Sequence, residues 1–221
     1  MTASVPEIVF LSGSLGELSR TNRLAQWCAD QCAPRARTTV FPGAELDLPF
    51  YRPGTPPQGP RPARYLAALE RADGVVLVSP VYHGTLSGLL KNALDYVNEL
   101  AGAPQPYLDG RALGCVSIGL GEQGASSTLQ TLRTVGHALR SWPTPMGVAL
   151  SQGRADLTDD GSPVDQQAHT QLTVMLGQVM TMARLNARRR AARAERTAPA
   201  AQPAQPAGIT TAAAVRAGGV R

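Results

Sequence analysis

Hydroxyl, amide and glycine groups crowd the segment from Ser12 to Asn22, directly after an apolar run and before a helical pattern. Because the first N–H groups of a helix have no intrahelical partner and carry partial positive charge, a phosphate is favoured there. Four side chains can add neutral donors around the same anion: Ser14, Ser19, Thr21 and Asn22. The alternative is an ordinary helix cap, for which Ser19 or Thr21 alone would suffice. No lysine completes a triphosphate-binding loop.

A second polar segment begins at Pro80, at the end of another apolar run. Pro80 stiffens the chain, Tyr82 offers a flat amphipathic ring, and Gly84 permits a tight turn or a close backbone approach. A planar heteroaromatic ligand could lie against such a backbone. Taken alone, Tyr82 could also be a core ring, and a loop histidine such as His83 more often faces solvent than moves a proton.

Residues Gly119 to Gly124 form the pattern G-x-G-x-x-G between a predicted strand and a predicted helix. In a dinucleotide site this pattern follows the first strand, with an acidic residue roughly 20 positions later. Here it follows the fourth strand, and no Asp or Glu lies between Glu122 and Asp156. We therefore disfavour a dinucleotide site and keep two interpretations: backbone donors beside a ligand, or a plain strand-to-helix turn.

These segments are positioned by alternating strands and helices. Apolar runs predict strands over 5–11, 37–41, 74–79, 112–118 and 143–150, the last interrupted by Pro145. Helical periodicity predicts helices over 21–32, 63–72, 86–100, 125–140 and 164–188, and a Pro- and Gly-rich loop occupies 42–62. The alternation predicts an α/β fold with a parallel sheet covered on both faces, whose ligand lies at the carboxyl ends of the strands.

Two motifs carry a family resemblance. The first is Gly13-Ser14-Leu15-Gly16-Glu17-Leu18-Ser19, against G-S-x-R-x-x-S. The second is P-x-Y-x-x-x-x-x-G-x-L-K-N-x-[IL]-D, matched by Pro80, Tyr82, Gly88, Leu90, Lys91, Asn92, Leu94 and Asp95. On these residues the chain resembles the NAD(P)H-dependent FMN reductases over about residues 5–185. The resemblance implies a flavodoxin-like domain over 1–187: a doubly wound five-stranded parallel sheet of order 2-1-3-4-5 in three α/β/α layers.

The resemblance also implies FMN as cofactor and NAD(P)H as co-substrate. It assigns the phosphate to Ser14, Ser19, Thr21 and Asn22. It assigns the isoalloxazine to Pro80, Val81, Tyr82 and His83, and the pyrimidine side of the ring to Ser117, Gly119, Gly121 and Gly124. No catalytic side chain is required, because the flavin supplies the redox chemistry.

One position departs from the family pattern. Gly16 replaces the arginine of the first motif, which removes a charge-assisted contact worth roughly 1.5–3 kcal/mol. Weak FMN retention follows, unless Arg20 or Arg23 supplies the charge.

The positive charge of the chain is concentrated at its carboxyl end. The net charge is +5, but residues 184–221 contain eight arginines and one glutamate. Removing them from the totals of 21 basic and 16 acidic residues leaves 13 and 15. We therefore expect a near-neutral body, which disfavours a nucleic-acid partner, and a disordered Arg/Ala/Pro-rich tail over 188–221. The alternative is a basic-tailed module that binds nucleic acid or anionic surfaces through Arg188–Arg190, Arg193 and Arg196.

Cysteine usage and hydropathy favour a cytoplasmic protein. Cys28, Cys32 and Cys115 include no C-x-x-C pair, and we expect reduced, buried core residues rather than a metal site. No apolar run approaches the roughly 18–20 residues that span a bilayer. The N-terminus lacks the pattern of a secretory signal. We expect no membrane contact.

The predicted function is therefore an FMN reductase that passes electrons to a monooxygenase partner, a quinone, an azo compound or a metal oxyanion. The alternative is a flavodoxin-like electron carrier without NAD(P)H turnover, although such carriers are generally strongly acidic. We expect the 42–62 loop, with Tyr51 and Arg52, to cover the site. The resemblance suggests a homodimer or homotetramer through the 86–100 helix, with Lys91 and Asp95 as a surface or interface pair.

Overall fold

Short apolar runs assemble into a parallel sheet in this computed structural model, which describes residues 4–197. The strands are β1 (Glu7–Ser12), β2 (Arg37–Phe41), β3 (Gly74–Tyr82), β4 (Thr85–Leu86), β5 (Ala112–Gly119), β6 (Trp142–Pro143) and β7 (Val148–Ser151). The main order is β2-β1-β3-β5, and β6 and β7 pair in parallel with successive parts of β5. β4 is a short antiparallel addition to the end of β3.

The predicted strand order is confirmed, with the fifth position divided between β6 and β7. Pro145 lies in the gap and has no N–H to donate to a ladder. Beside it, the Met146 amide donates to the side chain of Gln178 instead of to a strand. The predicted fifth strand is therefore divided at Pro145 into two short strands, β6 and β7, which both pair with β5.

Helices cover both faces of the sheet, as predicted. They are α1 (Arg20–Cys32), α2 (Gly43–Leu46), α3 (Pro60–Arg71), α4 (Gly88–Asp95), α5 (Glu122–Ala138) and α6 (Gln166–Thr197), with 3₁₀ turns at Tyr96–Leu100 and Gln152–Ala155. Alternate strand residues point to opposite faces. Ile8 and Phe10 pack in a core with α1 and α6, whereas Val9 and Leu11 pack in a second core with α3 and α4. Two cores around one sheet give the three-layer fold.

Several element boundaries differ from the prediction. The 86–100 helix begins later, because Ser87 caps it by accepting from the Leu90 amide, and its last turn is 3₁₀. The 42–62 loop contains α2, and α3 already begins at Pro60, a residue suited to a first helical turn.

The last helix continues beyond the domain boundary predicted at residue 187. The Asn186 amide donates to the carbonyls of Asp73 and Gly110, and the Arg190 guanidinium donates to both carboxylate oxygens of Asp73. These contacts tie the helix to the end of the sheet where β3 and β5 begin, and the helix continues past 188 to Thr197, the last described residue. The rest of the predicted tail, 198–221, lies outside the described residues.

The predicted burial of all three cysteines is confirmed. Within residues 4–197, no helix has the length and hydropathy to cross a bilayer. In the same range, no three His, Cys, Asp or Glu side chains cluster closely enough to hold a metal ion.

Candidate functional site

The carboxyl ends of β1, β3 and β5 surround a cleft of about 240 Å³, which we call the candidate cleft. Its lining includes Ser14, Ser19, Thr21, Pro80, Val81, Tyr82 and Gly119 from the sequence prediction, together with Arg20, Ile118 and Leu120. All three turns that the sequence singled out therefore contribute to one site. Five other predicted residues lie around it without lining it: Asn22, His83, Ser117, Gly121 and Gly124.

The β1–α1 loop, residues 13–19, is held in shape by the side chain of Asn22. Its Nδ2 donates to the carbonyls of Ser14 (3.2 Å) and Gly16 (2.7 Å). Its Oδ1 accepts from the Ser12 hydroxyl (2.5 Å) and the Gly43 amide (3.3 Å). Because both amide hydrogens donate to the loop, Asn22 positions the loop in this structure, and its direct phosphate contact stays a prediction.

The start of α1 presents hydroxyls and free amides to the cleft. Ser19 is the N-cap, and its Oγ accepts from the Asn22 amide at 3.1 Å. The Thr21 hydroxyl lies 3.1 Å from the same Oγ, within hydrogen-bonding distance. The amides of Arg20 and Thr21 precede the first intrahelical hydrogen bond, so they have no helical acceptor. An ordinary helix cap needs only one such residue, so this larger set of donors favours an anion site over a plain helix cap.

Gly43, at the start of α2, fits directly against the β1–α1 loop. A Cβ built on it would lie 1.8 Å from the carbonyl oxygen of Ser14 and 2.8 Å from the amide nitrogen of Leu15. Only a residue without a side chain allows this approach. The sequence carries no signal for the role of Gly43, since the contact joins segments about thirty positions apart.

The segment after Ser79 is a tight hairpin. His83 (φ 50°) and Gly84 (φ 82°) are the two turn residues between β3 and β4, and both have the positive φ of a type I′ turn. The Ser127 hydroxyl of α5 donates to the Gly84 carbonyl at 2.5 Å. His83 is exposed at the tip and outside the cleft lining, and its contact with an isoalloxazine ring stays a prediction.

The glycine-rich turn after β5 serves packing. A Cβ on Gly119 or Gly124 would lie 3.0–3.1 Å from the side chain of Val81, so these glycines let the turn approach β3. The buried Ser117 hydroxyl donates to the Ala125 carbonyl and anchors the first turn of α5. Gly121 has open space around it. Of the four, only Gly119 lines the cleft, which favours the strand-to-helix interpretation for the others.

The two arginines near the missing family arginine differ in position. Arg20 lines the cleft, and its Nη1 lies 3.5 Å from Asp156 Oδ1. Arg23 donates to the carbonyl of Thr158, and it lies outside the cleft lining.

The 42–62 loop does not cover the candidate cleft. Asn92, from the second motif, donates to the carbonyls of Leu48 and Pro49 and accepts from the Tyr51 amide. Tyr51 and Arg52 line a separate cavity of about 350 Å³ beside Tyr96. Asn92 therefore fastens this loop to α4, a role for the motif that sequence reasoning did not identify.

Lys91 and Asp95 form the predicted pair, with Nζ 2.6 Å from Oδ1 on the exposed side of α4. The apolar stripe predicted over 86–100 is buried within the chain's own core: Leu86 in β4, Leu90 and Leu94 in α4, and Val97 in the 3₁₀ turn. An interface through α4 would therefore use its polar face.

Comparison with known proteins identifies flavin enzymes. The family model described as NADPH-dependent FMN reductase matches residues 6–155. An NADPH azoreductase of Bacillus sp. is 33% identical over 93 residues, which cover 42% of this chain and 50% of the relative. The NADPH-dependent FMN reductase ArsH of Acidithiobacillus ferrooxidans is 28% identical over 158 residues, which cover 71% of this chain and 64% of the relative. The chain thus spans about half to two thirds of these curated relatives.

A solved structure has the same fold. The flavoenzyme NAD(P)H:(acceptor) oxidoreductase FerB from Paracoccus denitrificans aligns with a TM-score of 0.70 and 20% identity. The alignment covers 82% of this chain and 99% of that chain. At this identity the likeness shows the flavodoxin-like fold alone.

Proposed function

Because the chain belongs to the family of NADPH-dependent FMN reductases, we propose that it binds FMN in the candidate cleft and transfers hydride from NAD(P)H to it. A small-molecule acceptor then takes the electrons. The single observation that carries the proposal is that turns after three different strands meet in one cleft, at the place where sheets of this type bind ligands.

The loop end of the cleft fits a phosphate. Ser14 and Thr21 are buried to 7% and 3% exposure while lining the cleft, so their hydroxyls are held in place. Together with Ser19 and the first amides of α1, they form a set of neutral donors. Asn22 and Gly43 fix the backbone that carries these donors.

The strand end of the cleft fits a flat ring. Pro80, Val81 and Ile118 supply an apolar wall, and Tyr82 and Leu120 stand exposed beside it. Val81 is packed against Gly119 and Gly124, which leaves little room beside its side chain. Such a wall orients a ring system and excludes water from one side of it, and positioning of this kind is most of what hydride transfer requires.

FMN supplies the redox chemistry when bound: it accepts hydride from NAD(P)H and gives electrons to a second substrate. The residues of this chain bind and orient. No side chain that lines the cleft is an Asp, Glu, His or Cys, and Tyr82 and Arg20 are its only ionisable groups among the described residues. The proposal therefore assigns no acid–base residue.

The decisive experiment measures NADPH and NADH oxidation with and without added FMN. We expect FMN-dependent oxidation, quenching of flavin fluorescence on binding, and a higher melting temperature with FMN. Gly43→Ala is the impaired variant and Gly88→Ala its control, since a Cβ at Gly88 meets nothing within 4 Å. Flavin binding without pyridine nucleotide turnover would favour the electron carrier instead. Absence of both quenching and thermal stabilisation would overturn the proposal.

The acceptor and the assembly are parts of the same proposal. A relative named an azoreductase supports an azo compound as one acceptor, beside quinones, metal oxyanions and a flavin-dependent monooxygenase. Bleaching of an azo dye with NADPH tests the first. We also propose a cytoplasmic homodimer or homotetramer, which light scattering after gel filtration measures; buried free thiols are consistent with a reducing compartment.

A further inference from the structure

We propose that Arg20 supplies the positive charge of the family arginine that Gly16 replaces, and that Asp156 competes with the flavin phosphate for Arg20. The inference rests on the proposed function, because it assigns residues to the phosphate end of that site. It concerns a departure of this chain from its family, since the cation now comes from the first turn of α1 instead of from the preceding loop.

The position of Arg20 supports this role. It is the first residue of α1 and lines the candidate cleft beside the hydroxyls of Ser14, Ser19 and Thr21. Its side chain is 45% exposed, so the guanidinium is free to turn toward a ligand. A guanidinium can donate two parallel hydrogen bonds to a phosphate, which gives orientation as well as attraction.

Arg23 is held away from the cleft. Its guanidinium donates to the Thr158 carbonyl, and Arg23 does not line the cleft. Of the two arginines that could replace the family residue, only Arg20 lines the site.

Asp156 is the competing partner. Its Oδ1 lies 3.5 Å from Arg20 Nη1, and its side chain is 63% exposed. Exposed ion pairs at such distances are weak, because water screens both charges. A phosphate carries up to two negative charges, so we expect it to displace Asp156 from the guanidinium. The carboxylate then remains close by and opposes phosphate binding.

The test compares FMN with riboflavin, which lacks the phosphate, by titrating flavin fluorescence. We expect Arg20→Gln to weaken FMN about tenfold and to leave riboflavin unchanged, whereas Arg20→Lys retains part of the effect. Asp156→Asn should tighten FMN severalfold, and this gain should vanish in the double variant with Arg20→Gln. Arg23→Gln is the matched control and should leave the FMN-to-riboflavin ratio unchanged.

Circular dichroism and melting curves check that each variant folds. If wild type binds FMN and Arg20→Gln binds it equally well, or loses both flavins equally, the inference is wrong while the proposed function survives. A gain from Asp156→Asn that persists without Arg20 would also overturn it. If wild type binds neither flavin, the proposed function fails and this inference fails with it.

Discussion

Single residues behind the candidate cleft control its shape as much as those that face it. Asn22 makes four side-chain contacts that join Ser12, the β1–α1 loop and Gly43. None of these contacts needs a ligand, so the loop is already formed in the free protein. A site formed in advance binds without the cost of ordering a loop.

Gly43→Ala should damage this site from outside it. The added methyl would meet the Ser14 carbonyl at 1.8 Å, so the β1–α1 loop has to move. We expect FMN affinity to fall at least tenfold and the free energy of unfolding to fall by about 1–3 kcal/mol. Fluorescence titration and urea unfolding measure the two effects. Wild-type FMN affinity in Gly43→Ala would show that the loop does not hold the flavin.

His83→Asn should stabilise the protein without changing its chemistry. His83 has φ 50°, and asparagine followed by glycine is the preferred pair in a type I′ turn. We expect a gain of about 0.5 kcal/mol, since asparagine adopts this conformation at lower cost. Denaturant midpoints give the gain and NADPH turnover checks the chemistry. A large loss of turnover with FMN still bound would instead assign a direct role to His83.

Among the secondary-structure elements, the sequence predicts correctly those whose local residue pattern agrees with their packing in the fold. Strands β1, β3 and β5 are apolar on both sides and bounded by glycine or polar turns, which identified them. The spacing of Leu86 to Leu90 predicts a helix at Leu86, yet Leu86 lies in β4 and pairs with Val81 of β3. Ser87 caps α4, so the helix begins after Leu86, and the spacing of apolar residues alone does not decide between strand and helix at that position.

Arg190→Ala should weaken the attachment of α6. The guanidinium donates to both oxygens of Asp73, whose side chain is only 3% exposed and also accepts from the Glu7 amide. Its loss leaves a buried carboxylate short of donors, so we expect a cost of about 2–3 kcal/mol. Urea unfolding measures it. Arg189→Ala, at the exposed neighbouring position, is the control and should change stability by no more than about 0.5 kcal/mol.

For the molecule as a whole, the sequence predicted the sheet, its order and the three turns at the site. It did not predict contacts between distant segments: Gly43 against Ser14, Asn92 against the 48–51 backbone, or Ser127 against Gly84. Motif reading identifies residues that face a ligand, whereas residues that pack behind them follow only from the tertiary fold. Asn22 illustrates this difference: the sequence pattern identifies it as a site residue, but its hydrogen bonds to Ser12, the β1–α1 loop and Gly43 follow only from the structure.

The three thiols should be unreactive in the native protein. Burial raises the pKa of Cys32 to about 11 and that of Cys115 to about 12, and it also raises the pKa of Cys28. The thiolate is the reactive form. We expect no fast reaction with a disulfide reagent at pH 8, and reaction of all three after unfolding in guanidinium. Fast modification of even one native thiol would contradict the buried positions.

The same shifts give stability a pH dependence. A thiol whose folded pKa is raised stabilises the fold fully below its ordinary value near 9, and the contribution is lost as pH rises toward 11–12. Urea midpoints should therefore fall above about pH 9. The Cys115→Ala variant should lose less of its pH 7 stability at alkaline pH than the wild type loses of its own.

The attachment of α6 to the sheet has a practical consequence. Asn186 and Arg190 bind where β3 and β5 begin, and the candidate cleft lies where they end, so roughly 25–30 Å of strand separates them. A single Arg189→Cys substitution would place an addressable thiol at that far pole. A bead coupled there would immobilise the protein with the candidate cleft turned outward.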